Sequence, residues 1–515
     1  MLQAAERKRI LDALESMDES CPQSIESVGK LLEGLTFNDI LSLNRFPTDT
    51  EKPKNFFEED RYFGQGKGKG NLGQLIEERF FGYYRNSETE PDFPAAGVEL
   101  KSTPYKMLKS GKPSAKERVV ICMISYREPI ARTLEDSSLW KKMEKILLVF
   151  YEHEDELRDN RLKQGIRNVW IHTPTEKDLE IIRQDYEDIS TMVRNGLAHM
   201  LREGDTLYLG ACTKGSTLEK SWKLQYYPSL DGKKKARSRA FAFKSSYMKA
   251  VLKSHLDDIE YKPIVSDISI LRDNGLDNSI RDLFVPFIGM TDRDICLYFG
   301  IKHTRNKSHW RSITNLILGV DQNEAEELKK QGASSRTICL EHDGRLAEDL
   351  PLLTFEFMDL VAEESWEASE LREYLNSLRL MLVIFQKDEP DKNGLEVDRV
   401  LREVIFWKPP AEIVEREGKK LWAATRRVIN DGVETNLKMQ KNGVKVEHNL
   451  PKARDFKFVF VRNRAKYRYV EVDGFEDTVR GKRFGSVLPD GRWLPKPAFW
   501  LSGKYLASDI DLNGD

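Results

Sequence analysis

The second half of the chain repeats the pattern of the first half. The run RNVWIHTPTEKDLEIIRQDYEDI begins at residue 167 and has a counterpart from residue 402, REVIFWKPPAEIVEREGKKLWAA. The run RAFAFKSSYM is likewise echoed by PAFWLSGKYL. Helix-like segments end on Gly82 and on Gly319, 237 positions apart, and Pro174 and Pro409 keep almost the same spacing, at 235. A nearly constant offset over so long a stretch predicts two copies of one domain.

The repeat leads us to predict a first domain at residues 1–255, a linker region at 256–285 and a second domain at 286–515. A chain of 515 residues with 40% hydrophobic and 32% charged residues is typical of folded, multi-domain proteins. The patterning predicts a mixed α/β fold. The predicted helices are 2–17, 71–82, 138–145 and 176–202, and the predicted strands are GVELKST, RVVICMISY, ILLVFYE, NVWIHTP and TLYLGACT.

Composition narrows the class of protein further. No apolar run approaches the ~18–20 residues that span a bilayer, so we expect a cytoplasmic protein. The five cysteines and eight histidines are scattered, and their spacing predicts neither a disulfide framework nor a zinc site. The net charge of −2 is unlike that of a uniformly basic coating protein. Basic residues are nevertheless concentrated in DGKKKARSRAFAFKSSYMK and in a Gly/Lys loop near residue 68, as in local nucleic-acid-binding patches.

One predicted strand carries charges that a buried strand would not need. The stretch PDFPAAGVELKST contains Asp92, Glu99 and Lys101. Residues i and i+2 of a strand face the same side, so Glu99 and Lys101 would point together. Other E-x-K triplets, such as that at Glu417, lie in helical contexts where i and i+2 diverge.

The repeat singles out these charges as a set. With the offset of 237, the counterparts are Lys329 for Asp92, Arg336 for Glu99, Ile338 for Lys101 and Thr314 for Glu77. The apolar frame persists while the charges are lost together, which predicts that only the first copy uses them.

Two carboxylates and a lysine in this arrangement suit hydrolysis of a phosphodiester. Oxygen ligands from Asp92 and Glu99 would hold Mg²⁺, which bridges to phosphate. The metal would neutralise phosphate charge and lower the pKa of a bound water, and Lys101 would orient or deprotonate that water. The alternative from the residues alone is a solvated strand end with a salt bridge.

The run KGNLGQLIEERFFG…PDFPAAGVELKSTPYKM resembles the mismatch-repair nicking endonuclease MutH and related restriction enzymes. The resemblance continues in order through TLEDSSLWKKMEKILLVFYEHE, NVWIHTPTEKDLEIIRQDYEDI and SRAFAFKSSYMKAVL, and covers most of residues 35–255. It implies a PD-(D/E)xK nuclease fold, a mixed sheet flanked by helices. It also implies metal ligands at Asp92, Glu99 and Glu77, a catalytic Lys101, and a further phosphate contact from either Lys142 or Lys145.

The same resemblance implies a set of DNA contacts: Lys69, Gly70, Lys214, Arg239 and Lys244. Lys214 and Arg239 are candidates for reading base edges, and the alternative is that they contact phosphates, which position the protein without specifying sequence. The sequence departs from MutH at Gly210–Lys214, where an Arg-Pro-Lys run is replaced. It also has Ala242 in place of a tyrosine associated with sensing adenine methylation, which favours a restriction role.

The length and the degenerate second copy resemble type II restriction endonucleases that cut at GATC. That resemblance implies double-stranded DNA as substrate, a second DNA site on the C-terminal copy, and a cognate DNA methyltransferase as a partner. It implies a monomer with an internal pseudo-dimer, and dimerisation on DNA is left open. The alternatives are a methylation-directed nicking endonuclease and a non-catalytic DNA-binding protein.

Overall fold

A computed structural model of the chain divides into two compact units. Unit 1 comprises Met1–Ser279 and Glu324–Gly332, and unit 2 comprises Ile280–Asn323 and Ala333–Asp515. The structure describes residues 2–45, 71–83, 89–108, 111–157, 160–214, 221–227, 232–257, 261–304, 306, 308–320, 325–346, 348–388, 398–440, 443–464 and 485–510. Within these ranges, no helix has both the length and the apolar character to cross a membrane.

The α-helices are distributed along the whole chain. The first eight are α1 Ala4–Glu15, α2 Pro22–Gly29, α3 Phe37–Ser42, α4 Asn71–Leu75, α5 Ser138–Met143, α6 Glu176–Arg194, α7 Ser245–Asp257 and α8 Ile268–Asp282. They are followed by α9 Asp292–Tyr298, α10 His309–Ile317, α11 Glu326–Gln331, α12 Phe357–Ala362, α13 Glu370–Ser377, α14 Ala411–Ile413, α15 Lys419–Asp431 and α16 Gly503–Asp509. A π-helical turn, Ile76–Phe81, continues α4.

Unit 1 contains a mixed sheet and an antiparallel sheet. Its strands are β1 Val98–Met107, β2 Pro113–Ala115, β3 Val119–Met123, β4 Lys145–Glu152, β5 Ile166–His172, β6 Leu209–Thr213, β7 Trp222–Leu224, β8 Lys235–Arg237 and β9 Arg239–Phe243. The mixed sheet has the order β2-β1-β4-β5, with β1 and β4 parallel and β5 antiparallel to β4. The antiparallel sheet has the order β3-β9-β6, and β7 pairs with β8 in a separate ribbon.

Unit 2 contains a three-stranded mixed sheet and a three-stranded antiparallel sheet. Its strands are β10 Ser334–Leu340, β11 Leu350–Thr354, β12 Leu380–Lys387, β13 Arg399–Trp407, β14 Thr435–Gln440, β15 Gly443–His448, β16 Val459–Asn463, β17 Gly485–Val487, β18 Trp493–Pro495 and β19 Pro497–Leu501. β10 and β12 are parallel, and β13 is antiparallel to β12, as for β1, β4 and β5. The sheet β11-β19-β16 corresponds to β3-β9-β6. The predicted mixed α/β fold with flanking helices is confirmed.

The predicted helix at 176–202 is too long. The structure ends α6 at Arg194, because Gly196 follows with a φ of 70°, a left-handed conformation that breaks the helix. The predicted helix at 71–82 is confirmed as α4 with its π-helical turn, and it ends at Gly82, which has a φ of 83°.

Strand β1 separates apolar from charged side chains by its alternation. Val98 and Leu100 are buried in a core formed with the N-terminal helices, which contribute Ile25 and Phe37. Glu99 and Lys101 therefore lie on the opposite face of the sheet. This explains how a strand with an apolar core face also carries a carboxylate and an ammonium group.

Helix α11 is held in unit 1 by buried charges. The fully buried Glu327 carboxylate accepts backbone hydrogen bonds from Ile264 at 2.8 Å and from Val265 at 3.1 Å, and it pairs with Lys177. Lys330 Nζ lies 2.6 Å from Asp178 Oδ1. Buried charges are tolerated when each has such partners, so this cluster fixes α11 in one position.

We predict that Glu327→Ala lowers the free energy of unfolding of unit 1 by about 3–5 kcal/mol, because it leaves two backbone N–H groups unpaired and Lys177 with only the longer contact to Glu326, at 3.9 Å. Hydrogen exchange of peptides from α11 and residues 261–265, measured against urea concentration, would report the loss. Glu176→Ala is the matched control, since Glu176 is exposed at the start of α6, and it should cost less than about 1 kcal/mol. Equal effects of the two substitutions would contradict the prediction.

Candidate active site

Asp92 is positioned by a tight turn that folds back on β1. Phe93 N–H donates to Val98 O at 2.8 Å, and Gly97 within the turn has a φ of 65°, which glycine adopts without strain. The turn places Asp92 beside the strand, where its Oδ2 accepts the N–H of Leu100 at 2.8 Å. Asp92 and Glu99, seven residues apart in sequence, are thereby brought to neighbouring positions.

Two lysines hold the Glu99 carboxylate. Glu99 is only 2% exposed, and its Oε1 pairs with the Lys101 ammonium. Its Oε2 lies 3.3 Å from Lys142 Nζ. Lys142 is itself buried on α5, whose N-terminus is capped by Ser137, and it reaches β1 from that helix. The structure thus places Lys142 against Glu99, whereas the Lys145 ammonium lies beside Gly97 of the turn.

Glu77 approaches from the π-helical turn. Gly82 and Tyr83 both donate backbone N–H groups to Glu77 O, at 2.9 and 3.2 Å, and so cap the π-helical turn, which ends at Phe81. The Tyr83 ring packs edge-on to Phe93, with ring centroids 5.5 Å apart. A π-helical turn of this kind is frequent at functional sites.

Tyr83 reports the electrostatics of the acidic cluster. Its pKa is raised well above the ordinary value, first by burial and then by the negative charges of Asp92, Glu77 and Glu99. The three predicted carboxylates are therefore within electrostatic reach of one hydroxyl. Within the described ranges, this buried hydroxyl has no hydrogen-bond partner.

The pKa of Glu99 is also raised. Burial is the largest cause, Asp92 adds to the rise, and the charges of Lys101 and Lys142 oppose it. Burial raises the pKa of the nearby Cys122 thiol on β3 to about 12. At neutral pH, Cys122 is therefore a neutral group beside the charged cluster.

The donor set fits a divalent cation. Three carboxylates supply hard oxygen ligands, and Glu77, Asp92 and Glu99 all act electrostatically on Tyr83. Mg²⁺ prefers one or two carboxylates and retains waters that contact phosphate. Asp92 and Glu99, with Glu77 from the helix, are the residues that would hold it. Because each Glu99 oxygen faces a lysine, a cation would displace at least one of these contacts.

The predicted DNA contacts differ in how they are placed. Lys214 is partly exposed at the end of β6. Arg239 Nη1 donates to Ala211 O at 2.7 Å, so its guanidinium is tied to the neighbouring strand. Lys244 is buried, donates to Thr206 O and lies beside Asp185, whose pKa burial raises to about 6. The Lys244 ammonium therefore forms its contacts inside the protein and is shielded from DNA.

The structure describes Ala242, whereas the predicted DNA contacts Lys69 and Gly70 lie outside the described residues. Ala242 is buried in a small cluster with Cys212 and Ala240, at a position with little exposure to any ligand.

Sequence patterns missed several residues around the site. Tyr83 and Cys122 carry no motif of their own and reach the cluster only through the fold. The basic segment that contains Lys235 did not predict the β7–β8 ribbon in which the structure places it. Trp222, Leu224 and Tyr226 are exposed there, beside the exposed Lys223 and Lys235. Alternating basic and aromatic side chains in the sequence are the signal that points to such a ribbon.

A mixed sheet with flanking helices, and with an acidic cluster and a lysine on one face of a sheet strand, defines a restriction-endonuclease-like fold. The family model for the DNA mismatch repair enzyme MutH matches residues 81–185, which include Asp92, Glu99, Lys101 and Lys142.

Relatives extend this similarity. The MutH protein of Shewanella amazonensis is 30% identical over 193 residues, covering 36% of this chain and 77% of that protein. MutH of Shewanella sp. strain W3-18-1 is 32% identical over 145 residues, which is 28% of this chain and 62% of that protein. The type II restriction enzyme Sau3AI of Staphylococcus aureus is 29% identical over 470 residues, covering 86% of this chain and 93% of that enzyme. The chain belongs to the MutH family.

We predict that Mg²⁺ binding releases a proton at mildly acidic pH and tightens as pH rises. The raised pKa keeps part of Glu99 protonated above the ordinary range of a glutamate, and a metal ligand must be deprotonated. The same shift lowers the free energy of unfolding of the metal-free protein as pH rises from the ordinary pKa through the raised one.

Calorimetry of Mg²⁺ binding in two buffers of different ionisation enthalpy would detect the proton. The apparent binding enthalpies should differ in the native protein and agree in Glu99→Gln, which has no titrating group at this position. Identical enthalpies for the native protein across the mildly acidic range would contradict this account.

Proposed function

We propose that this protein is a Mg²⁺-dependent type II restriction endonuclease that makes double-strand cuts at GATC-like sites. The observation that carries the proposal is the cluster of Asp92, Glu99, Lys101 and Lys142 on one face of the sheet of unit 1. Support for restriction over repair comes from length, because the similarity to Sau3AI covers 86% of this chain while that to Shewanella amazonensis MutH covers 36%.

The residues of the cluster take distinct roles in this proposal. Asp92 and Glu99 hold the metal, and Glu77 contributes from the π-helical turn. When bound, Mg²⁺ neutralises charge on the phosphate and lowers the pKa of a water that it holds. Lys101, whose ammonium is 3.1 Å from Leu100 O, would orient the attacking water by donating a hydrogen bond to it, and the proton of that water would be released to solvent.

Lys142 and the buried surroundings support the chemistry. The Lys142 ammonium, 3.3 Å from Glu99 Oε2, would lie close enough to the phosphate to stabilise the negative charge that develops on its oxygens. Burial of Glu99 and Lys142 keeps water from screening these charges, which strengthens their effect on the phosphate.

Exposed basic residues of unit 1 suit binding to double-stranded DNA. The β7–β8 ribbon presents Lys223 and Lys235 next to Trp222 and Tyr226, a combination of phosphate-binding and stacking side chains. Lys214, Arg239, Lys69 and Gly70 remain proposed contacts by family resemblance. Lys244 is omitted from the proposal because its ammonium is buried beside Asp185.

We propose that the second domain is a degenerate copy that binds a second DNA site without cutting. The matching strand order of the two units supports the duplication, and Ile338, the counterpart of Lys101, is part of the apolar core of unit 2. Arg336, the counterpart of Glu99, is exposed. Burial raises the pKa of Tyr374, and the positive charges of Arg336 and Arg464 oppose this rise, so both arginines lie near that ring. Positive charge is thus found at Arg336, the counterpart of the Glu99 carboxylate. Such a site suits phosphate and not a metal cation.

The proposal extends to the biological setting. A restriction enzyme of this kind acts in the cytoplasm beside a DNA methyltransferase that modifies the same site. The protein would act as a monomer with an internal pseudo-dimer. Faster cleavage of plasmids with two sites than of plasmids with one site would indicate dimerisation on DNA.

Cleavage of a plasmid of known sequence, with the ends mapped by sequencing, tests the proposal. We expect double-strand cuts at GATC that need Mg²⁺, and Glu99→Ala should lower the rate by more than about a hundredfold. Glu417→Ala is the matched control, since Glu417 begins an E-x-K triplet on the surface of unit 2 and should leave the rate unchanged.

Adenine-methylated and unmethylated plasmids, with one or two sites, would be compared. Products nicked on one strand would favour the repair alternative, and DNA binding without any cleavage would favour a non-catalytic protein.

The two candidate lysines allow a second comparison. Lys142→Ala should reduce the cleavage rate by about tenfold or more, because this side chain contacts Glu99. Lys145→Ala should leave the rate within about twofold, since Lys145 begins β4 and pairs with Val98 in the backbone ladder instead. A larger loss in Lys145→Ala would overturn this assignment. Thermal melting of both variants would exclude a difference in folding.

A further inference from the structure

A second cluster of metal-binding side chains lies in unit 2. Asp292 and Cys296 are four residues apart on α9 and so share one face of the helix. His303 follows in the connecting loop, and His309 is the first residue of α10. Asp292, Cys296 and His309 are each less than 5% exposed, and the His303 side chain is 19% exposed.

The potential ligand atoms of Asp292, His303 and His309 lie close together, and the Cys296 thiol adjoins them at His309. Asp292 Oδ2 lies 2.8 Å from His303 Nε2 and 3.7 Å from His309 Nε2. Cys296 Sγ lies 3.9 Å from His309 Nε2. The ligand atoms of Asp292, His303 and His309 are all within 4.8 Å of one another. Tetrahedral zinc, with bonds of about 2.0–2.3 Å, separates its ligand atoms by about 3.3–3.8 Å, so small shifts would complete the coordination.

The surrounding hydrogen bonds orient the ligands. Asp292 Oδ1 accepts the backbone N–H of Arg399 at 3.1 Å, which leaves Oδ2 turned to the two imidazoles. The His309 Nδ1 lies 3.4 Å from Thr304 Oγ1, which directs Nε2 to the cluster. Metal-binding histidines generally have their second ring nitrogen held in this way.

An ion pair alone does not account for this arrangement. Asp292 with His303 would satisfy a simple salt bridge, yet His309 also faces the same carboxylate oxygen, and the Cys296 thiol lies next to His309. The two imidazole rings lie at 79° to each other, with centroids 4.8 Å apart, so they are not stacked. Two imidazole nitrogens, a thiol and a carboxylate are ligands that zinc accepts, whereas Mg²⁺ and Ca²⁺ prefer oxygen alone.

We propose that Asp292, Cys296, His303 and His309 bind a structural Zn²⁺ ion. Four protein ligands close the coordination sphere and leave no position for a substrate, as in structural zinc sites. The ion would tie α9, the connecting loop and the start of α10 together. The site is independent of the acidic cluster in unit 1 and uses none of its residues.

Metal analysis of the full chain, purified without chelators or a histidine tag, tests the proposal. We expect about one zinc per chain, and reconstitution of the stripped protein with Co²⁺ should give visible d–d bands with a thiolate-to-cobalt charge-transfer band. Cys296→Ser should remove the charge-transfer band. Cys21→Ser is the matched control, since Cys21 precedes α2 in unit 1 and lies outside the cluster. Glu99→Ala should retain the zinc, which separates this site from the proposed nuclease site.

The native protein decides the outcome even where a variant fails to fold. Native protein that carries no zinc, and gives no cobalt spectrum on titration, would overturn the proposal and leave a hydrogen-bonded cluster only. A charge-transfer band that persists unchanged in Cys296→Ser would also overturn it, because the thiolate would then come from another cysteine. Loss of zinc on chelation with a fall in melting temperature would support the structural role.

Discussion

The buried Glu99 carboxylate is the constraint on which the site depends. It lies on the face of β1 opposite Val98 and Leu100, whose side chains fill the core with the N-terminal helices. A carboxylate in such a position is costly unless cations accompany it, and Lys101 and Lys142 supply them. Asp92 lies beside Glu99 and raises the pKa of its carboxyl, so the two carboxylates act on each other. The apolar face of the strand fixes the position of Glu99, and the neighbouring carboxylates supply the oxygen ligands that suit a divalent cation.

The two units illustrate how one arrangement of strands can carry different chemistry. Parallel β1 and β4 with antiparallel β5 are matched by β10, β12 and β13. In unit 2 the position of Lys101 is taken by Ile338, which packs in the core, and the position of Glu99 by the exposed Arg336. Replacing buried charges with apolar residues of similar size is often neutral or stabilising. If unit 2 is the degenerate copy that we propose, its strand arrangement can therefore persist without the charges of the unit 1 cluster.

The features that the sequence predicts are those set by the local pattern of apolar and charged residues. The common face of Glu99 and Lys101 follows from strand periodicity, and the helix that carries Glu77 follows from its pattern and terminal glycine. The choice between Lys142 and Lys145 could not be made, because it depends on where α5 ends and β4 begins. The burial of Lys244 depends on tertiary contacts with Asp185, which no local pattern encodes. The zinc ligands were missed for the same reason, since their irregular spacing gains meaning only when α9 and α10 are folded together.

The central claim is that Asp92 and Glu99 form the divalent-cation site at which unit 1 cuts DNA. The most direct test is a crystal structure of the full chain with a GATC-containing duplex that cannot be hydrolysed, grown with Mn²⁺ and measured across the manganese absorption edge. We predict an anomalous peak between the Asp92 and Glu99 carboxylates, beside a phosphate and near Lys101. We expect no such peak at Arg336. Absence of manganese from Asp92 and Glu99 in a structure with DNA bound, or a peak beside Arg336 instead, would contradict the claim.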